Sequence, residues 1–148
     1  VSIQTTYTII PELRLILTYS QGKMQVTDLM QLSMKIIQDE AYDSTFDIIW
    51  DLRATTALGF KMDILEYIDF LKNNLRLKNR IRSSVLLNTP NQKFLMSIFK
   101  PFAKLNNIDA ENFLEIEKCF KWMGYSESEQ VVVNEAFANL KNSLSSLE

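Results

Sequence analysis

DIIWDLRATT, residues 47–56, is the stretch whose reading decides the fold. With Phe46 it opens as FDIIWDL, a continuous apolar run, and a strand of that composition is buried on both faces like the inner strands of a parallel sheet. The run gives way at Asp51 and Arg53, and ATTALGFKM (54–62) reads as the loop that follows, with Gly59 as its hinge. Asp51 and Arg53 therefore belong at the carboxyl end of a central strand, the edge where ligands of open α/β sheets gather. Either Arg53 meets an anionic group there with Asp51 orienting it, or Asp51 accepts backbone N–H bonds from the turn while Arg53 pairs with a surface acid. Thr55, Thr56 and Phe60 complete this candidate binding group.

Upstream, TTYTIIPELRLILTY (5–19) reads as two strands of a tight hairpin broken at Pro11-Glu12. Leu13, Leu15 and Leu17 alternate with Arg14, Ile16 and Thr18, and Gln21-Gly22-Lys23 ends the second strand. Thr27 is placed to cap a helix, with Asp28 at its positive end and Leu29, Leu32, Ile36 and Ile37 at helical spacing. Downstream, a helix from Lys61 to Leu75 carries the stripe Ile64, Ile68, Leu71 and Leu75. SSVLLN (83–88) is a further core strand. Thr89-Pro90-Asn91 opens a third helix with Phe94, Leu95, Ile98, Phe99 and Phe102 inward, which Pro101 should kink or restart. A weak strand is expected near 108–113, then a short helix within 114–124 stopped by Gly124. Ser126 with Glu129 fits a capping box, and Val133, Phe137, Leu140, Leu144 and Leu147 then step by four, three, four and three. Two strands followed by alternating helices and strands define an α/β domain with a mixed sheet, parallel in its middle.

Composition narrows the chemistry. The 148 residues suit one domain, and 16 basic against 18 acidic side chains give a formal charge of −2, which argues against a nucleic-acid binder. Five cations in LKNNLRLKNRIR (71–82), namely Lys72, Arg76, Lys78, Arg80 and Arg82, read as a solvated helix end and loop or as a docking face for an acidic partner, a nucleotide or a membrane surface. One cysteine, Cys119, allows no internal disulfide and reads as a buried structural residue. The absence of histidine removes the histidine-based hydrolases and the usual zinc sites, so neither a metal nor another cofactor is expected. A carboxylate enzyme would need two converging acids, and only Asp51 with Asp63 or Glu66 fits the topology. No apolar run reaches the roughly 18–20 residues of a membrane span, and no signal peptide is legible, so a soluble cytoplasmic protein is expected.

The segments YTIIPELRLILTYSQGKM, FDIIWDLRATT, SSVLLNTP and FLEIEKCFKWMG, in that order and spacing, resemble a STAS-type domain, and more narrowly the SpoIIAA-like branch of small bacterial proteins. The similarity covers about residues 5–124, and its marks are a strand ending Asp-Leu-Arg and a last helix ending Trp122-Met123-Gly124. It implies a sheet of four or five strands with helices mainly on one face, here residues 1–124 with a helical extension at 125–148. It also implies a non-catalytic domain that binds partners or small ligands. In some relatives a phosphorylated serine after the Asp-Leu strand switches partner binding, whereas here no serine stands between Asp51 and Tyr67, leaving Thr55 and Thr56 as the nearby hydroxyls.

Two functions from different classes follow. The leading expectation is a regulatory module that binds a protein partner and forms a homodimer, with Val133, Phe137, Leu140 and Leu144 as the seam. The same four-three spacing also serves a helix folded back on its own domain. The alternative is a carrier or sensor of a small apolar or anionic-apolar, lipid-like ligand. It would be held in a pocket lined by Phe94, Ile98, Phe99 and Phe102, with the methionines Met96 and Met123 as further candidates.

Overall fold

The computed structural model describes residues 2–57 and 61–145, with the backbone alone at 57 and 61. Its strands are β1 (Gln4–Ile10), β2 (Leu15–Met24), β3 (Asp47–Ala57), β4 (Ile81–Leu86) and β5 (Ile108–Phe113), joined in one sheet in the order 1-2-3-4-5. β1 runs antiparallel to β2, and every later neighbour is parallel. Pro11 starts the single 3-10 turn of the hairpin, and Arg14 closes it in the left-handed conformation at φ 52°. The helices are α1 (Val26–Gln38), α2 (Lys61–Asn74), α3 (Pro90–Leu105), α4 (Ile116–Met123) and α5 (Glu127–Ser145).

The layers follow from strand alternation. Leu15, Leu17, Ile49 and Leu86 point to one face and pack with Phe120, Met123, Val133 and Phe137 of α4 and α5. Ile16 and Ile48 point to the other and pack with Leu32 and Ile36 of α1. Val85 and Leu87 join them there, against Tyr67, Ile68, Met96 and Phe99 of α2 and α3. Three crossovers advancing in one direction across the sheet place α1, α2 and α3 on a single face, as crossovers of one hand must. The sheet is thus covered on both sides.

Several boundaries differ from the sequence reading. β3 does not end at Leu52 but continues through Ala57, because β2 also continues, past an irregularity between Tyr19 and Gln21, so that Gln21–Met24 pair with Ala54–Ala57. Gly22 is accordingly inside a strand rather than at its end. It has φ 104°, and a Cβ there would stand 2.6 Å from the carbonyl oxygen of Ser2, so glycine is required. α1 is capped by Gln25 in a box with Asp28, not by Thr27. α3 runs through Pro101 without a restart, since Pro101 and Ser97, whose carbonyl loses its donor, both lie on the exposed side. Gly124 ends α4 in the left-handed conformation, as expected. Gly59 and Phe60, and Leu147 at the other end, lie outside the described residues.

The dimer seam is corrected by α5. Val133, Phe137, Leu140 and Leu144 are all buried within this one chain, against the sheet face that carries Leu15 and Leu17. The physical reason is coverage: the 8 residues of α4 reach β4 and β5, and α5 fills the remainder over β1 and β2. Within the segment 125–148 set apart in the sequence, α5 therefore contributes to the same core as β2, β3, β4 and α4.

Candidate functional site: an apolar cavity beneath the helix layer

Asp51 and Arg53 lie on the α4/α5 face of β3, in step with Ile49. Asp51 is 1% exposed. Its Oδ1 accepts from Arg53 Nε at 3.0 Å and from the Arg53 backbone N–H at 3.2 Å, and its Oδ2 accepts from Arg53 Nη2 at 3.0 Å. The Asp51 carboxylate holds the guanidinium pKa above its usual value against the opposing effect of burial, and the charge of Glu117 adds to it. A guanidinium forked onto one acid beside a second is poorly placed to capture an anion. Arg53 therefore closes on Asp51 within its own strand, instead of meeting a more distant surface acid.

The α1–α3 face differs. Beneath the helices lie two neighbouring apolar cavities, of about 140 and 80 Å³. The larger sits at the carboxyl edge of the parallel strands. Met24 comes from the end of β2, Leu87 from just past the end of β4, Leu52 from the middle of β3, Val26 and Ile64 from the first turns of α1 and α2, and Met96 from α3. The smaller runs toward the opposite edge, under Ile36, Phe46, Leu71 and Ile108. Trp50, Tyr67, Ser83 and Phe99 line both and form the partition between them.

The polar atoms of this region are few and mostly paired. Gln92, at the third position of α3, accepts through Oε1 from the backbone N–H of Asn88 at 3.1 Å and of Thr89 at 3.3 Å. Its Nε2 donates to Leu52 O at 3.1 Å and to Thr55 Oγ1 at 3.0 Å, tying the start of α3 to the end of β3. Thr55 Oγ1 donates to Leu52 O at 2.7 Å. Tyr67 and Ser33 share a hydrogen bond of 2.9 Å, and burial pushes the Tyr67 hydroxyl up to about 12, with the Ser33 bond acting in the opposite sense.

The predicted residues divide accordingly. Thr55 lines the larger cavity, Thr56 is exposed, and Asp51 and Arg53 serve the opposite face. The buried Thr55 hydroxyl, held between Leu52 and Gln92, is not open to a modifying enzyme in this conformation. Of the aromatic group on α3, Phe99 lines both cavities. Phe94 is instead 50% exposed, and Ile98 lines neither cavity. Phe102 borders a third, polar cleft at the far ends of α2 and α3, with Lys72 Nζ 5.7 Å from its ring centre. Met96 lines the larger cavity, whereas Met123 packs on the other face of the sheet. The inward stripe is Gln92, Met96, Phe99 and Ala103. Phe99 and Met96 of this stripe are legible in the sequence; Gln92 and Ala103 are not, because one is polar and the other small. The spacing Thr89-x-x-Gln92, a capping box, was the available signal. Trp50, Tyr67 and Ser83 were also missed as site residues.

The basic stretch is partly absorbed by structure: Arg80 pairs with Asp109 at 2.8 Å, and Arg82 pairs with Asp47 at 3.0 Å. Cys119 is fully buried, and burial raises its thiol pKa. Among the described residues no helix is long and apolar enough to cross a membrane. No protein-family model matches the chain, and no curated protein matches it.

Proposed function

We propose that this chain is a non-catalytic binding module, STAS-like in architecture, that holds a small apolar ligand between its sheet and the α1–α3 layer. The observation that carries the proposal is the larger cavity: apolar walls, at the carboxyl edge of parallel strands, with a buried Gln92–Thr55 clasp at its rim. An apolar cavity of about 150 Å³ in other proteins stays dry and takes up a benzene-sized guest. The hairpin followed by alternating strands and helices, and α4 ending at Gly124, support the STAS-like, SpoIIAA-like assignment.

A second reading, a regulatory module for a protein partner, is favoured by a separate observation. Met62 and Leu65 in the first two turns of α2, and Phe94 in the second turn of α3, are exposed apolar side chains toward the same edge of the sheet. Native mass spectrometry of the freshly purified chain tests both readings. A monomer that takes up toluene, and loses that capacity when Leu95→Trp plugs the rim, supports the ligand module. A chain that binds no toluene and gains no thermal stability from it overturns it.

A further inference from the structure

Ser83 carries the partition's hydroxyl that makes no hydrogen bond within the chain and opens onto the cavity space. It is 6% exposed and lines both cavities. Alternation along β4 points its side chain to the α1–α3 face, with Ile81 and Val85 on either side. Among the described residues its Oγ has no hydrogen-bond partner. The adjacent Ser84 points to the other face and donates to Met123 Sδ at 3.3 Å, so the two hydroxyls meet different fates. Among the described residues the hydroxyls fully buried without a partner are those of Thr18 and Ser20, and these line neither cavity.

A buried hydroxyl facing an apolar space costs free energy unless something in that space bonds to it. We infer that Ser83 Oγ is the polar anchor of the bound ligand, and that the ligand is a small uncharged ring or short chain with a single hydroxyl or carbonyl, of the phenol class. This rests on the ligand-module reading above. The volumes set the size. Charge sets the rest: among the described residues no lysine or arginine lines either cavity, and the charged residue that does, Asp63 in the first turn of α2, is an acid at the rim. An anion would find no lysine or arginine among the described residues that line this space. A neutral ligand with one hydrogen-bonding group leaves nothing unpaired, since the Ser83 hydroxyl both donates and accepts.

The test compares toluene, phenol and benzoate by titration of the full chain, followed through the Trp50 indole signal in a Trp122→Phe background. Toluene measures the apolar space alone, phenol adds the hydroxyl, and benzoate adds a charge. The ratio of the phenol to the toluene dissociation constant is expected to rise about fivefold on Ser83→Ala. Toluene binding should stay within about twofold, because the hydroxyl contributes nothing to it. Ser83→Thr, which keeps the hydroxyl, should retain the original ratio, and benzoate should bind more weakly than either neutral probe. A ratio unchanged by Ser83→Ala, or benzoate binding best, overturns the anchor while leaving the ligand module standing. Failure of all three probes to bind overturns the module itself, and the anchor with it.

Discussion

At the residue scale, the Asp51–Arg53 pair combines a fully buried acid with a base whose side chain remains 30% exposed. That asymmetry fixes which half matters more. Removing Arg53 leaves a carboxylate buried with a single backbone donor, a situation that costs about 3 kcal/mol in other proteins. Removing Asp51 frees a guanidinium that can turn into water, and the cost should be nearer about 1 kcal/mol. Arg53→Ala is therefore expected to lower the urea midpoint more than Asp51→Ala. The double variant should be no worse than Arg53→Ala alone, because the stranded charge is gone. An Asp51→Ala loss equal to or larger than that of Arg53→Ala would contradict this account. The sequence showed the pair but placed it at a strand end, whereas it lies in the middle of β3. It did not show which face the pair occupies, because that depends on β3 running on to Ala57, and this extension is held by pairing with a strand thirty residues away.

At the scale of elements, α5 shows where sequence spacing stops being informative. A four-three apolar stripe reads the same whether its partner is another chain or the sheet of its own. What decides here is the length of α4, which leaves β1 and β2 uncovered. The alternation of β2, the left-handed stop at Gly124 and the Ser126–Glu129 box were legible because each rests on local chemistry. The cavity was not. It arises where Ser83 and the paired Gln92 stand in otherwise apolar stripes on two different elements, and a void between layers has no local signature. Phe137 tests the packing directly. It is buried among Leu15, Leu17 and Val133, so Phe137→Ala is expected to cost about 3–5 kcal/mol. The loss should be independent of protein concentration, read from urea midpoints over a hundredfold dilution. A midpoint that falls on dilution would mean that α5 leaves its own sheet for a second chain.

At the scale of the whole molecule, the absence of histidine combines with the buried tyrosines to shape stability against pH. Nothing in the chain has an ordinary pKa near neutrality, apart from a free amino terminus. On the acid side, the Tyr7 hydroxyl bond to Asp39 and the Ser126 backbone bond to Glu129 hold these exposed carboxyls below their usual values. Their contribution is present above the ordinary carboxylate range and is lost as pH falls through the lowered values. On the alkaline side, burial raises Cys119 from its ordinary 9.0 and Tyr67 from 10.0 to about 12. A raised pKa means that the folded state keeps its proton after the unfolded chain has lost it. The stability is therefore whole below the unfolded value and declines as pH climbs toward the folded one. The expected profile of the urea midpoint is a plateau from about pH 5.5 to 8.5 and a fall between about pH 9 and 12. Tyr67→Phe separates its share: it should lower the midpoint on the plateau, because Ser33 loses its partner, and make the fall from pH 10 to 12 shallower. A step in the midpoint between pH 6 and 8, or an alkaline fall as steep in Tyr67→Phe as in the parent chain, would show that other groups govern the transition.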